Sequence, residues 1–217
     1  MIITTKKDPN DILESLKTTG GKSVYLFGCD TCAEQCKTGG APEIKEMTGL
    51  LEKNGYKVTG SSLVDETCYN QLVRREFRQQ DALNTSDTIL VLSCGAGVKT
   101  VADNAKETQA VLPALDSTFL ASVERVGRFF EGCSLCGDCV LDATAGICPH
   151  TDCPKGLLNG PCGGVDKGKC EVNRGNDCAW IRIYARLKAQ GRLELMTRYT
   201  PPKDHSVSVK PRTTLLR

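Results

Sequence analysis

The chain has 217 residues, of which 40% are hydrophobic and 25% are charged, and it carries a formal net charge of +2. This composition suits one modest domain with an appendage, and the near-neutral charge excludes the broad basic surface typical of nucleic-acid-binding proteins. The 13 cysteines far exceed ordinary usage, so the role of the thiols is the first question that the sequence raises.

The sequence also indicates the redox state of the cysteines. The sequence contains no signal peptide and no apolar run long enough to span a membrane, and its cysteine count is odd, so we expect reduced thiols in a cytoplasmic protein. Disulfides are the alternative, but they need an oxidising compartment that nothing in the sequence indicates.

Charge is unevenly distributed along the chain. Residues 181–217 hold nine Lys or Arg against two acidic residues. We expect this basic tail to dock on an acidic surface, either its own body or a partner.

Strands and helices are predicted to alternate along the first 130 residues. Apolar runs rich in β-branched or aromatic residues predict strands, and apolar residues at helical spacing predict helices. The predicted strands are 22–28, 56–63, 88–93 and 108–112, and the predicted helices are 8–20, 42–55 and 72–83. Alternation of this kind is typical of an α/β fold, with a small open parallel sheet, flanking helices and right-handed crossovers.

Cysteines follow three of the predicted strands. Cys29, Cys68 and Cys94 each stand at or just beyond the C-terminal end of a strand, the edge where open α/β sheets bind ligands. Cys32 and Cys36 add two thiols on the loop after the first of these strands. Four of the five thiols would complete a [4Fe-4S] site or a zinc site. The alternative is that they are inert core residues, because free cysteine is commonly buried.

Weaker signals mark the segment that joins this region to the rest of the chain. We expect an irregular crossover over residues 113–119. The apolar residues Val123, Val126 and Phe130 suggest a short helix or an extended linker over residues 120–130. This linker leads into a second cysteine-rich region.

Residues 131–180 are dense in cysteine and glycine and poor in large apolar side chains. Burial alone cannot offset the ordering entropy of such a segment, so covalent or metal bonds must hold it. Its C-x2-C-x2-C spacing followed by Cys-Pro is typical of ferredoxin-type iron–sulfur sites. Zinc is the competing metal, although zinc sites usually come as two separated pairs of thiols. The cysteines are Cys133, Cys136, Cys139, Cys148, Cys153, Cys162, Cys170 and Cys178.

Five motifs in this segment carry a resemblance to a known family. They are Cys133-Ser-Leu-Cys136-Gly-Asp-Cys139-Val, Gly146-Ile-Cys148-Pro149, Lys155-Gly-Leu-Leu-Asn-Gly-Pro-Cys162-Gly-Gly, Gly168-Lys-Cys170-Glu and Asp177-Cys178-Ala-Trp. With them the chain resembles the methylenetetrahydrofolate reductase C-terminal cysteine-rich family. In acetogenic bacteria this family forms the small iron–sulfur subunit that pairs with the flavin-bearing catalytic subunit of methylenetetrahydrofolate reductase.

The resemblance implies a function and a set of partners. The chain would be an electron-transfer subunit of an oxidoreductase complex in the reductive acetyl-CoA pathway, without a complete active site of its own. It would relay electrons to the flavin of the catalytic subunit, where methylenetetrahydrofolate is reduced to methyltetrahydrofolate. Ferredoxin or further electron-donor subunits would supply the electrons, and no nucleic acid or membrane span is expected. The alternative function is a zinc-stabilised scaffold subunit of the same complex with no redox activity.

The expected cofactors are two [4Fe-4S] clusters bound by residues 131–180. A third cluster is expected in the first 130 residues if the strand-end thiols bind one, with zinc as the alternative occupant of one site. In bacterial ferredoxins the Cys-Pro cysteine binds the other cluster, and His150 is a further candidate ligand. By this analogy the first ligand set is Cys133, Cys136, Cys139 and Cys178, and the second is Cys148, Cys153, Cys162 and Cys170.

A helix with an apolar stripe is expected from Ala179, with Trp180 as a core anchor and with Thr200-Pro201-Pro202 as its end. The tail beyond is expected to be extended, because it has too few apolar residues to fold alone.

Three domains are predicted. Residues 1–130 form an α/β domain with a strand-end site, residues 131–180 form the cysteine-rich iron–sulfur domain, and residues 181–217 form the C-terminal helix and docking tail. The apolar anchors expected to dock the tail on the catalytic subunit are Val207, Val209, Leu215 and Leu216.

Overall fold

The computed structural model describes residues 1–215, and the chain divides into two compact units, Met1–Phe130 and Glu131–Arg217. Within residues 1–215, no helix combines the length and the apolar character needed to cross a membrane. The elements are, in chain order, β1 (Ile2–Lys6), α1 (Pro9–Thr19), β2 (Ser23–Cys29), α2 (Cys32–Gln35), α3 (Ala41–Lys53), β3 (Lys57–Val64), α4 (Asn70–Gln79), α5 (Asp81–Thr85), β4 (Thr88–Leu92), α6 (Gly95–Ala102), β5 (Ala110–Pro113), β6 (Leu115–Arg125), β7 (Arg128–Cys133), α7 (Pro149–Asp152) and α8 (Ala179–Ala189).

Four parallel strands form the central sheet of the first unit, in the order β3-β2-β4-β5. The inner strands β2 and β4 are buried along nearly their whole length, because their apolar residues occupy both faces of the sheet. The predicted parallel sheet with flanking helices is confirmed. Its fourth strand begins at Ala110 rather than at residue 108.

Each face of the central sheet packs against its own helices, because alternate residues of β2 and β4 point to opposite sides. On one face α1 and α3 contribute Ile12, Leu16, Ile44 and Leu51 to a core with Val24, Leu26, Leu90 and Leu92. On the other face α4, α5 and α6 contribute Val73, Leu83 and Val101 to a core with Tyr25, Phe27, Ile89 and Val91. The strand order therefore reverses between β2 and β4. The crevice beyond the C-terminal ends of these two strands is the switch point where open α/β sheets bind ligands.

The ends of α1 lie where the sequence predicts them, whereas the helix predicted over residues 72–83 differs from the structure. The Asp8 carboxylate accepts a backbone hydrogen bond of 2.8 Å at the start of α1, and Gly20 ends the helix with a φ of 70°. The single helix predicted over 72–83 is instead two helices, α4 and α5, separated at Gln80. The Asn84 side chain donates to the Phe77 carbonyl at 2.6 Å, which supplies a partner for the C-terminal end of α4.

A second sheet, of order β1-β6-β7 with β1 and β6 antiparallel, was not predicted. The expectation of an irregular crossover and then a helix or linker over residues 113–130 is wrong, because these residues form β6 and β7. Gly127, with a φ of 80°, lies in the turn between the two strands. Val126 and Phe130 are 68% and 52% exposed, so the apolar residues here do not mark a buried face.

Loops and turns make up most of the second unit, with single turns of 3-10 helix at Leu193–Thr197 and His205–Ser208. Helix α8 ends at Ala189 rather than at Thr200, because Gly191 reverses the chain with a φ of 68°. The tail beyond Thr200 is not extended throughout, since it contains the second 3-10 turn. Leu216, one of the predicted docking anchors, lies outside the described residues.

The core of the second unit is small and surrounds the start of α8. Trp180 is 5% exposed, and its Nε1–H donates to the Leu157 carbonyl at 2.8 Å, which confirms its role as a core anchor. The fully or nearly buried members of this core are Ile147, Cys178, Ala179, Trp180, Ile183 and Leu187. So few buried side chains cannot stabilise a unit of this size by hydrophobic burial alone.

Candidate metal centres

Four cysteines of the second unit line one cavity of about 550 Å³ together with His150. We call them the first cysteine group: Cys133, Cys136, Cys139 and Cys148. Cys133, Cys136 and Cys139 come from the C-x2-C-x2-C loop that follows β7. Cys148 immediately precedes α7.

Backbone turns in this loop direct N–H groups toward sulfur. Leu135 and Gly137 have φ values of 55° and 85°, so the chain reverses between successive cysteines. The Leu135 N–H donates to Cys133 Sγ at 3.3 Å. Hydrogen bonds of this kind raise the reduction potential of a sulfur-ligated cluster.

A buried ammonium group lies beside the same loop. The Lys203 side chain is 6% exposed, and its Nζ donates to Cys136 Sγ at 3.0 Å and to the Asp138 carbonyl at 2.6 Å. The hydrogen bond from Lys203, followed by one from the Asp138 backbone, lowers the pKa of Cys136 below its usual range. Lys203 was not predicted as a site residue, and the only sequence signal for it was the basic character of the tail.

His150 contributes a buried nitrogen to the cavity of the first cysteine group. Its Nε2 is buried and has no hydrogen-bond partner among the described residues. Burial, followed by the positive charge of Lys203, lowers the pKa of His150, so the neutral imidazole with a free lone pair is favoured. A buried polar atom without a partner is costly unless a ligand satisfies it.

The other four cysteines of the second unit surround a much smaller cavity of about 20 Å³. We call them the second cysteine group: Cys153, Cys162, Cys170 and Cys178. Backbone N–H groups of Asn173 and Val172 lower the pKa of the Cys170 thiol. Cys178 is buried and immediately precedes α8.

The structure distributes the eight cysteines differently from the predicted ligand sets. Cys148 lies with the C-x2-C-x2-C thiols, whereas Cys178 lies with the second cysteine group. The predicted ligand sets stay predictions, and eight residues, not the three of bacterial ferredoxins, separate Cys139 from Cys148. These residues fold into a closed turn, with the Gly146 N–H donating to the Leu141 carbonyl at 2.9 Å, and this turn brings Cys148 back to the loop.

Cysteines also converge at the C-terminal edge of the central sheet in the first unit. Cys29 ends β2, Cys94 follows β4, and both are buried at the switch point between these strands. Burial raises the pKa of Cys32 and of Cys68, and the nearby thiols of Cys29 and Cys94 raise both further. These four form the third cysteine group. Cys36 lies one turn beyond Cys32, at the end of α2. It does not contribute to the raised pKa of Cys32 or of Cys68, so we leave it out of this group.

The first and second cysteine groups differ in how well they fit a cofactor. Among residues 1–215, no three or more His, Cys, Asp or Glu side chains are arranged to hold a metal ion. A tetrahedral zinc ion needs thiolates roughly 3.8 Å apart, as its 2.3 Å bonds require, whereas a cluster of several irons takes thiolates at its outer corners. The wide cavity and the unpartnered His150 nitrogen therefore fit a cluster in the first cysteine group. The second cysteine group encloses too little space for a cluster unless its loops move apart.

One comparison with known proteins matches part of the chain. Residues 112–206 match a family model described as methylene-tetrahydrofolate reductase C terminal. A comparison with curated proteins finds no match. The matched segment contains the first and second cysteine groups and Lys203, whereas the third cysteine group lies outside it.

Proposed function

We propose that this chain is the iron–sulfur electron-transfer subunit of a methylenetetrahydrofolate reductase complex, of the kind found in acetogenic bacteria. It passes single electrons to a flavin on a separate catalytic subunit, where methylenetetrahydrofolate is reduced to methyltetrahydrofolate. The family match over residues 112–206 supports the link to this reductase. The observation that carries the electron-transfer role is the first cysteine group, with four thiols, a buried imidazole nitrogen and a buried ammonium group around one cavity.

The residues of the first cysteine group have separate roles in this proposal. Cys133, Cys136, Cys139 and Cys148 would hold a [4Fe-4S] cluster, which supplies reversible one-electron chemistry when bound. The Lys203 ammonium offsets the negative charge of the thiolates, and the Leu135 N–H stabilises Cys133 Sγ. His150 Nε2 is available to donate or accept a hydrogen bond at the cluster edge, or to replace one thiolate.

Bond-making is assigned to the partner rather than to this chain. The two histidines and the carboxylates near the cysteines form no nucleophile–base pair that the sequence predicts, and 12 of the 13 thiols belong to the three cysteine groups. The flavin-bearing catalytic subunit is therefore the proposed partner, with ferredoxin or a further donor subunit supplying the electrons. Affinity purification of the two chains expressed together tests this assignment, and failure to form a complex in moderate salt would contradict it.

A zinc-stabilised scaffold is the second candidate function, and one observation favours it. The second cysteine group is nearly closed, with a cavity of about 20 Å³, and a single ion needs less space than a cluster. In that case the bound zinc ion would stabilise the small core around Trp180 and would have no redox activity. A colourless protein that holds zinc and lacks acid-labile sulfide supports the scaffold, whereas a brown protein with iron and sulfide supports electron transfer.

The ligand sets can be tested on the full chain purified without oxygen. Cys148→Ala and Cys136→Ala should remove the same share of iron and the same paramagnetic signal, because both residues belong to the first cysteine group. Cys178→Ala should spare that signal, because Cys178 belongs to the second cysteine group, and Cys36→Ala should leave the iron content unchanged. If Cys178→Ala and Cys136→Ala abolish one signal while Cys148→Ala spares it, the sequence-based partition is correct and the structural one is wrong.

A further inference from the structure

The first unit contains a cavity of about 640 Å³ between α1 and α3, apart from the cysteine groups. Its floor is apolar and includes Ile12, Met47, Leu50, Leu92 and Leu115. A volume of this size falls within the range of about 300–1,000 Å³ that small-molecule sites occupy. The cavity is therefore large enough for a compound with two or three rings.

The rim of the cavity is positively charged. Four lysines line it, Lys6, Lys7, Lys45 and Lys53, against two glutamates. Both glutamates are engaged, because Glu46 pairs with Lys6 at 2.5 Å and Glu43 accepts the Gly40 N–H at 3.0 Å. Lys7 pairs with Asp116 at 2.5 Å. Lys45 and Lys53 have no carboxylate partner within residues 1–215. Because Glu43 keeps its negative charge, these three side chains give the rim a net charge of +1.

Gly49 lies in the wall of the cavity, in the middle of α3. A glycine within a helix costs about 1 kcal/mol relative to alanine, so it usually has a packing or functional reason. No packing reason exists here, because a Cβ at Gly49 would meet no atom within 4 Å, and the helix geometry there is ordinary. The cavity therefore reaches the backbone of α3 at this position.

We propose that this cavity binds an organic anion with a flat, largely apolar ring system. The ring lies against the apolar floor and the exposed backbone at Gly49, and the anionic groups pair with Lys45 and Lys53. Leu115 belongs to the cavity wall and also packs on Cys29 of the third cysteine group, so a bound ring would lie one side chain away from those thiols. A carboxylate-bearing pterin and a phosphate-bearing flavin share this chemistry.

The test is a binding titration of the full chain, purified without oxygen, with 5-formyltetrahydrofolate in one arm and flavin mononucleotide in the other. We expect saturable binding of at least one compound, and the compound that binds identifies the anionic group that the site recognises. Lys53→Glu should weaken binding about tenfold or more, since a lost charge-assisted contact is replaced by repulsion. Lys57→Glu changes an exposed lysine outside the cavity and should keep the wild-type affinity.

Gly49→Leu separates a ligand site from a structural glycine. Leucine is a good helix former, so the thermal midpoint of unfolding should stay the same or rise, while the side chain fills the cavity and abolishes binding. Glu52→Leu makes a similar change on the same helix outside the cavity and should not affect binding. The proposal is overturned if neither compound binds at about 1 mM, a concentration that would detect even weak sites. It is overturned equally if Gly49→Leu lowers the midpoint or retains full affinity. Neither result bears on the iron content, because no thiol lines this cavity.

Discussion

The Lys203 ammonium, 3.0 Å from Cys136 Sγ and nearly buried, places a positive charge beside the first cysteine group. Replacing it with Met in the iron-loaded chain removes one positive charge beside the proposed cluster. We expect the reduction potential to fall by an amount of the order of tens of millivolts, because a nearby cation favours the reduced, more negative state. A redox titration followed by electron paramagnetic resonance measures this shift.

Two variants serve as controls for that measurement. Lys203→Arg should keep a potential close to that of the wild type, because the charge remains. Lys210→Met removes an exposed lysine of the same tail and should have no effect. An unchanged potential in Lys203→Met at full iron content would show that Lys203 has only a structural role. The sequence could not single out Lys203, because its burial depends on how the tail folds back onto its own unit.

Asp87 joins the starts of β2 and β4 in the first unit. Its Oδ2 accepts hydrogen bonds from the Lys22 N–H, the Ser23 N–H and the Ser23 hydroxyl, at 3.0, 2.9 and 2.7 Å. The bond from the Ser23 hydroxyl, followed by the two backbone bonds, lowers the pKa of Asp87 in the folded state. A carboxyl group with a depressed pKa stabilises the fold above its unfolded value of about 3.9, and this stability is lost as pH falls through the folded pKa.

Asp87→Asn should therefore destabilise the first unit at neutral pH, and the difference from the wild type should shrink as pH falls below about 4. Urea unfolding at pH 7 and at pH 3 measures both quantities. Asp81→Asn, at an exposed position at the start of α5, is a suitable comparison. A difference from the wild type that is constant across this range would mean that the carboxylate charge at position 87 does not contribute.

Helices and strands could be predicted where buried positions make apolar residues recur at regular spacing or form a continuous run. The strands β2 and β4 are runs of apolar residues, and their burial on both faces makes such runs diagnostic. The strands β6 and β7 leave no such signal, because most of their side chains are exposed. The convergence of Cys29 with Cys94 followed from strand direction alone. The grouping of Cys148 depended on a turn whose geometry the spacing did not reveal.

Helix α8 offers a direct measure of how much its packed face stabilises the second unit. Ile183 is fully buried, whereas Ile181 on the same helix is 39% exposed. Ile183→Ala should lower the free energy of unfolding by about 2–4 kcal/mol, and Ile181→Ala by well under 1 kcal/mol, because only the buried residue leaves a cavity. Thermal unfolding of the iron-loaded chain tests this comparison. Equal effects of the two variants would contradict the packing of α8.

At the scale of the whole molecule, deletion of residues 200–217 tests two roles of the tail at once. Lys203 and Arg212 contact the C-x2-C-x2-C loop of their own unit, with Arg212 Nη1 donating to the Leu135 carbonyl at 3.1 Å. Iron in the first cysteine group should therefore become labile in the truncated chain, which time-resolved iron release to a chelator measures. If the tail also binds the catalytic subunit, co-purification should weaken, whereas the Lys203→Met variant should co-purify normally.

The modest core around Trp180 has a consequence for the life of the protein in a cell. If the first and second cysteine groups bind the proposed cofactors, the folding free energy of the second unit, which has few buried side chains, depends on the supply of iron and sulfide during maturation. The first unit has an apolar core on each face of its sheet, so its folding depends far less on a cofactor. Under iron starvation, newly made chains would carry a stable first unit and a second unit open to proteases. Cellular abundance of the intact chain would then follow iron availability without any change in transcription.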